Sequence, residues 1–474
     1  MEISESVDWE LNARIVQRPA GCRIPLTAFQ SRIWRGWLDR KDRPAVMRVC
    51  ASSSLISGKL NPTLLQACIE FVLGRHEALR TRIAFSDGTL VQHVDPPAAY
   101  QLQLTDLTCL SPSLAQEEAR RMVQCFLDQE LNPLTDPLFE SRLWKLSDER
   151  FVFVIAMEHS FADGISYGIL NREIWELYYQ GVRERLPLSM EPLLAQFGDY
   201  AVWQQRTCSA WRRAHESYWR QHLEGVRCLK MPPDAEFDER AVPVVATIPF
   251  GGSLTKTIRT AARHLGTLPS MMILAIYTIV LARWCARADL LITYVAHGRY
   301  RRPELQNMVG FIANLLHLRV ILARRDTFRE LVMQVQLELS RAMEHLDYDR
   351  VPDFISDCSS EAFFNWQSTT STRREVDHHF ISECMLVPAW AQALKGGPAD
   401  QKLVILPFHA RWSGFTKFSP IFYDTPEDIY LAVTYTAQVL SPVTIARFGA
   451  ALKEVAAQVS ENPLTRIENI SINL

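Results

Sequence analysis

The strongest constraint on this chain is the unbroken apolar run Phe151-Val152-Phe153-Val154-Ile155-Ala156-Met157. β-Branched and aromatic side chains favour extended backbone, and a strand apolar on both faces needs cover from both sides. The run therefore predicts a central strand of a sheet packed on both faces, and places the chain among layered α/β folds. It stops at Glu158-His159, and the loop Ser160-Phe161-Ala162-Asp163-Gly164 leads to a helical pattern from Ser166 to Tyr179. Polar side chains at such a break are well placed for chemistry: the strand fixes them and the loop admits a ligand.

Helical spacing also marks Pro25 to Trp37, Leu60 to Arg75 with Asn61-Pro62 as its start, Ser113 to Asp128, Gly198 to Leu223, Thr267 to Arg283, Phe328 to His345 and Pro442 to Ser460. Strand patterns cover Leu90 to His93, Tyr100 to Leu104, Phe139 to Leu146, Leu290 to Ala296 and Ile429 to Thr436, and a helix-to-strand passage runs from Pro303 to Val320. A chain of 474 residues exceeds one ordinary core, and both halves mix helices with strands, so two α/β lobes are expected. The charged, proline-bearing stretch Arg183 to Pro192 is the expected junction. It separates an N-terminal extension (1–22) and an N-terminal lobe (23–185) from a C-terminal lobe (186–474).

The net charge of -2 gives no reason to expect nucleic acid or an anionic membrane as partner. The start Met-Glu-Ile-Ser-Glu-Ser lacks the pattern of a signal peptide, and Met271 to Ala282 is too short to span a bilayer and reads as a buried helix. The ten cysteines contain no Cys-x-x-Cys pair, so free thiols in a reducing, cytoplasmic setting are expected. No metal site is expected: the neighbours Asp377-His378-His379 point apart and read as a solvated loop. Serine-hydrolase elbows, phosphate loops and His-Glu-x-x-His are all absent.

His159-x-x-x-Asp163-Gly164 is short enough to arise by chance, and His345-x-x-x-Asp349 fits its first part at the end of a helix, where a local ion pair is expected. The setting of His159 is different. A neutral imidazole at the end of a buried strand can take a proton from an incoming amine or hydroxyl, and a glycine turn lets backbone N–H groups approach a developing oxyanion. Asp163 is expected to form a structural ion pair, because a buried carboxylate needs a cation.

The segment resembles the His-His-x-x-x-Asp-Gly signature of nonribosomal peptide synthetase condensation domains, in the superfamily of chloramphenicol acetyltransferase and the plant acyltransferases. Other family-like segments follow in order. They are Pro25-Leu26-Thr27-Ala28-Phe29-Gln30 through Trp34, Arg75-His76-Glu77-Ala78-Leu79-Arg80-Thr81, and Gly198-Asp199-Tyr200-Ala201-Val202-Trp203-Gln204-Gln205. Gly298-Arg299, Met308-Val309-Gly310-Phe311-Ile312-Ala313-Asn314, Phe364-Asn365 and Lys417-Phe418 complete the series.

The resemblance implies a mixed α/β fold of two chloramphenicol acetyltransferase-like lobes in a V, with a central tunnel. It implies that carrier proteins deliver acyl or peptidyl thioesters on phosphopantetheine arms, and that the protein itself binds no cofactor. The reaction implied is amide or ester formation with an acceptor amine or hydroxyl, carrier-bound or free. His159 matches the catalytic histidine, as base or as positioner of the nucleophile. Asp163 matches an aspartate paired with an arginine, for which Arg299 is the candidate; a surface ion pair is the plainer alternative for that arginine. Gly164 matches the glycine whose N–H assists the intermediate, and Arg75, Arg80, Trp203 and Asn314 match architectural positions. Glu158 replaces the first histidine of the signature, and Ser419 stands where relatives often have aspartate. A free-standing monomer that meets its carriers in trans is expected. Two other readings are a non-catalytic module that recruits carriers or a partner enzyme, favoured by Glu158, and an epimerase. Val295-Ala296-His297-Gly298-Arg299 lacks the carboxylate that epimerases carry in this segment.

Overall fold

The apolar run lies in the strand Arg150–Met157, and every side chain from Phe151 to Met157 is buried. A computed structural model describes residues 14–39, 46–47, 50–235, 243–346, 362–368, 373–376, 379–385 and 418–473. The strand pairs antiparallel with Cys50–Ser57 on one side and Phe139–Ser147 on the other. These three sit inside a six-stranded sheet whose order is Arg373–Val376, His379–Met385, Cys50–Ser57, Arg150–Met157, Phe139–Ser147, Gln103–Asp106.

Alternation along the strand explains the continuous apolar sequence. Val152, Val154 and Ala156 pack with Ala115, Ala119, Val123 and Phe126 of the helix Pro112–Leu127. On the other face Phe153 meets Trp175 of the helix Gly164–Val182, ring centroids 5.9 Å apart. One helix covers each face, so neither set of side chains can be polar.

The chain divides into two compact units, one of residues 1–210, 297–313 and 371–406 and the other of 211–296, 314–370 and 407–474. The division differs from the expected junction near residue 185. It falls inside the helix Phe197–His222, and two later segments return to the first unit. Local composition marks exposed loops, whereas unit membership follows contacts distant in sequence. Residues 14–22 are likewise no loose extension: Ile15 is buried, and Arg18 bonds Asp199 Oδ1 and Glu77 Oε2, each at 2.8 Å.

In the second unit a six-stranded sheet runs in the order Pro243–Pro249, Ile429–Thr436, Phe418–Asp424, Phe363–Ser368, Asp289–His297, Ala313–Ile321. The helix Pro269–Trp284 is buried from Ser270 to Ala282, and the helices Gly252–Leu265, Phe328–Glu344 and Pro442–Glu461 add to the same core. A reciprocal cap of Thr327 and Glu330 starts Phe328–Glu344. Among the described residues no single helix is long and apolar enough to cross a membrane.

Several local expectations are corrected. Tyr100 is not in a strand; its hydroxyl bonds Ser141 and its N–H bonds Glu70, and the strand starts at Gln103. In the passage after Pro303 the expected strand forms at Ala313–Ile321, but the helical part is only the short 3-10 turn Pro303–Leu305. Cys228 is disulfide-bonded, while Cys22, Cys68, Cys109, Cys125, Cys208 and Cys285 are free thiols. Spacing could not reveal that bond, since a disulfide needs two Cα atoms close in space rather than in sequence. Asp349, Asp377, His378 and Lys417 lie outside the described residues. His345 stacks on Tyr218, with centroids 3.7 Å apart, and its Nδ1 lies 2.6 Å from His215 Nδ1.

Candidate active site

The central strand delivers its end to a single 3-10 turn, His159–Phe161, and the helix Gly164–Val182 starts directly after it. Glu158 N–H donates to Leu138 O at 2.9 Å, which holds the last rung of the sheet. Asp163 caps the following helix by accepting Ser166 N–H at 2.9 Å. The catalytic-type segment is therefore clamped at both ends by backbone structure.

His159 Nδ1 lies 2.9 Å from Ala162 O. A carbonyl only accepts, so Nδ1 carries the proton and the neutral ring bears its lone pair on Nε2. Phe311 and Phe29 meet the imidazole edge-on, at 5.1 and 6.5 Å between centroids, and stack on each other at 3.6 Å. The ring keeps a partly open surface, yet the apolar surroundings disfavour imidazolium and push its pKa down to about 4. The Ala162 carbonyl and the Asp163 charge oppose that shift without cancelling it.

Asp163 is saturated with donors. Arg299 Nη2 lies 2.7 Å from Oδ1 and 2.8 Å from Oδ2, and Ile312 N–H donates to Oδ2 at 3.1 Å. Ser166 Oγ lies 2.8 Å from Asp163 Oδ1 and 2.9 Å from Gly310 O, and donates its one proton to either. Burial alone would raise the Asp163 pKa, but the Arg299 charge and the Ile312 and Ser166 donors outweigh it and hold the carboxyl below its usual range. Arg299 is itself buried, and donates to the carbonyls of Leu305, Met308 and Gly310. The plainer alternative of a surface pair is thus excluded by its 3% exposure.

The structure brings His159, Asp163, Gly164, Glu158 and Arg299 together in the first unit. Gly164 begins the helix, and its N–H points with the positive end of the helix dipole. The other named residues lie in supporting networks. Arg75 Nε donates to Glu173 at 3.1 Å, where His76 Nε2 also bonds at 2.7 Å, and Arg80 donates to the carbonyl of Asp95. Trp203 is buried under the Arg302 guanidinium, 4.5 Å from the ring centroid. Asn314 belongs to the second unit, where its side chain bonds Leu346 O and Leu315 N.

Sequence reasoning quoted Ser160, Ser166, Phe311 and Ile312 within motifs and elements but gave them no role. It quoted Phe29, Gln30 and Trp34 in the opening motif without a role. Thr27 and Gln30 cap each other's N–H groups, a Thr-x-x-Gln pattern that marks where the helix expected from the spacing begins. Among the described residues no three His, Cys, Asp or Glu side chains gather as a metal site would require.

Two mixed α/β units, with a histidine turn fixed at the end of the central strand, define a chloramphenicol acetyltransferase-like fold of two lobes. The chain belongs to the condensation-domain family, whose model matches residues 22–473. It is 28% identical to tyrocidine synthase 3 of Brevibacillus parabrevis over 464 residues, 95% of this chain and 6% of that protein. It is 26% identical to the phosphinothricin tripeptide synthetase PhsC of Streptomyces viridochromogenes over 463 residues, 93% of this chain and 39% of that one. The chain thus spans a minor part of the synthetases it matches. Among solved structures it is similar to the X-domain from teicoplanin biosynthesis, with a TM-score of 0.76 and 21% identity over 97% of this chain and all of that one. The first condensation domain of the calcium-dependent antibiotic synthetase, solved with a substrate analogue, gives 0.76 and 16% over 96% of this chain and all of the other.

Proposed function

We propose that this condensation domain moves an acyl or peptidyl group from a phosphopantetheine thioester on a carrier protein to an acceptor amine or hydroxyl, forming an amide or an ester. The observation that carries this reading is the state of His159: neutral, with Nδ1–H tied to Ala162 O and the lone pair on Nε2. Asp163 is too well bonded to be the base, and serves to lock the loop through Arg299.

In this reading the acceptor N–H or O–H donates to His159 Nε2 while its heteroatom attacks the thioester carbonyl carbon. The carbonyl π pair moves to oxygen, and the Gly164 N–H at the helix start is the donor this reading assigns to it. Collapse of the tetrahedral species breaks the C–S bond, and the proton passes from the imidazolium to the departing sulfur, releasing the carrier thiol. The imidazole ends neutral, as it began. A ring with so low a pKa does not remove a proton before attack. It orients the nucleophile and accepts the proton as positive charge develops on it.

The test is His159→Ala, with intact mass measured for a loaded carrier and its product. Transfer is expected to fall by roughly 10²–10⁴-fold; undiminished turnover overturns the proposal. Glu158 favours a second reading, a module that binds carriers or a partner enzyme without transfer, and one solved neighbour is the X-domain in complex with OxyB, similar at a TM-score of 0.72. That reading expects carrier binding but no product with any acceptor. The ordered His159 turn and the complete Asp163–Arg299 pair weigh against it.

A further inference from the structure

Glu158 has no part in the chemistry proposed above, yet it is a carboxyl group at only 1% exposure beside the reacting histidine. Its side chain turns back onto its own turn. Oε2 accepts Ser160 N–H at 2.8 Å and the Ser160 hydroxyl, and the carboxyl also accepts His159 N–H. The hydroxyl of Ser160 in turn accepts Trp34 Nε1–H at 3.1 Å, and Ser160 O accepts Gln30 Nε2–H at 3.1 Å. An indole N–H only donates, so Ser160 Oγ accepts from Trp34 and, when Glu158 is ionised, turns its own proton to Oε2. The helix Ala28–Asp39, which carries Gln30 and Trp34, is thereby fastened to the turn that carries His159.

We infer that Glu158 is a positioning residue for His159. It caps the first two N–H groups of the 3-10 turn and orients Ser160 as the link to Trp34, and this fixes the backbone from which His159 Nδ1–H reaches Ala162 O. Neighbouring side chains leave a strand end on opposite sides, which is why Glu158 is enclosed while His159 keeps an open surface. Glutamate here is then a working substitute for the family's first histidine, and a site with Glu158 is assembled rather than silenced. The inference rests on the reading of His159 as the acyl-transfer residue.

The experiment compares Glu158→Ala, Glu158→Gln and His159→Ala in the full chain, by kinetics with a loaded carrier and by ¹⁵N NMR of the His159 ring. Glutamine keeps an acceptor for both Ser160 donors, so Glu158→Gln is expected to hold kcat within about fivefold and to retain the Nδ1–H tautomer. Glu158→Ala is expected to lower kcat by about 10–100-fold at unchanged KM for the carrier, with the ring a mixture of tautomers. A wild-type kcat and tautomer in Glu158→Ala, with His159→Ala inactive, overturns the inference. Full activity in His159→Ala overturns the acyl-transfer reading instead, and the ring spectrum alone then decides whether Glu158 positions it. Should Glu158→Ala not fold, Ser160→Ala cuts the same link, and an unshifted ring spectrum there counts against the inference.

Discussion

One guanidinium nitrogen of Arg299 bridges both carboxylate oxygens of Asp163, at 2.7 and 2.8 Å, across 136 residues of sequence. Both side chains are nearly sealed from solvent, at 4% and 5% side-chain exposure. A buried pair contributes less by attraction than its loss costs, because a broken pair leaves one charge stranded. Asp163→Asn keeps the shape and strands Arg299, and is expected to cost about 3–5 kcal/mol in urea unfolding. Asp163→Leu combined with Arg299→Met is expected to cost less than the two single changes summed. Strict additivity would show that the pair is not coupled.

The low basicity of His159 fixes where acid should stop the reaction. With a hydroxyl acceptor, which does not titrate in this range, kcat is expected to hold down to about pH 5 and to fall as pH approaches about 4. A limb near the ordinary histidine value of 6.5 would show that the apolar surroundings do not disfavour the imidazolium.

Stability should carry two opposite pH dependences from neighbouring residues. Burial raises Glu158 from 4.5 to about 7, opposed by its bonds from Ser160 and His159, so the folded state holds that proton longer than the unfolded chain. The contribution of Glu158 is complete below about pH 4.5 and is lost as pH rises to about 7. His159, lowered from 6.5 to about 4, contributes fully above pH 6.5 and loses it as pH falls. The unfolding free energy of wild type minus Glu158→Gln is therefore expected to decline between these limits. The same difference for His159→Gln is expected to rise with pH. Urea titrations at several pH values read both signs.

Gly310 leaves no room for a side chain. A Cβ there would stand 2.2 Å from the ring of Phe197, and its backbone N–H and C=O both meet Ser166 Oγ, at 3.1 and 2.9 Å. Gly310→Ala is expected to cost about 1–3 kcal/mol by overpacking and to lower transfer by shifting Phe311 against His159. Phe197→Leu in the same chain should restore part of both. A neutral Gly310→Ala in thermal unfolding would show that the ring moves aside freely.

Much of this was legible in the residues themselves. Seven apolar side chains in succession, rich in β-branched and aromatic residues, fit a strand covered on both faces, and the run ends where Glu158 and His159 begin. Asn61-Pro62 started its helix as the capping pattern required, with Asn61 accepting Leu64 N–H. Periodicity also found the buried helix from residue 269 and the helix from 328. Those features depend on neighbours within a turn or two, which is the range over which sequence pattern carries information.

The rest was decided by contacts that only folding creates. Strand Cys50–Ser57 is rich in serine and has no strand pattern, yet it lies in the sheet because both its neighbours offer unpaired backbone. The boundary between units moved into a helix for the same reason: cohesion is counted across space. The sequence by itself determined that a histidine would stand at the end of a buried strand, before a loop that carries Asp163 and leads to a helix. Tertiary structure decided that the ring is neutral with its proton on Nδ1, that Arg299 neutralises Asp163, and that Glu158 faces inward. Burial and charge at a site depend on which distant segments close over it, and Phe29, Trp34 and the 297–313 segment do so here from far along the chain.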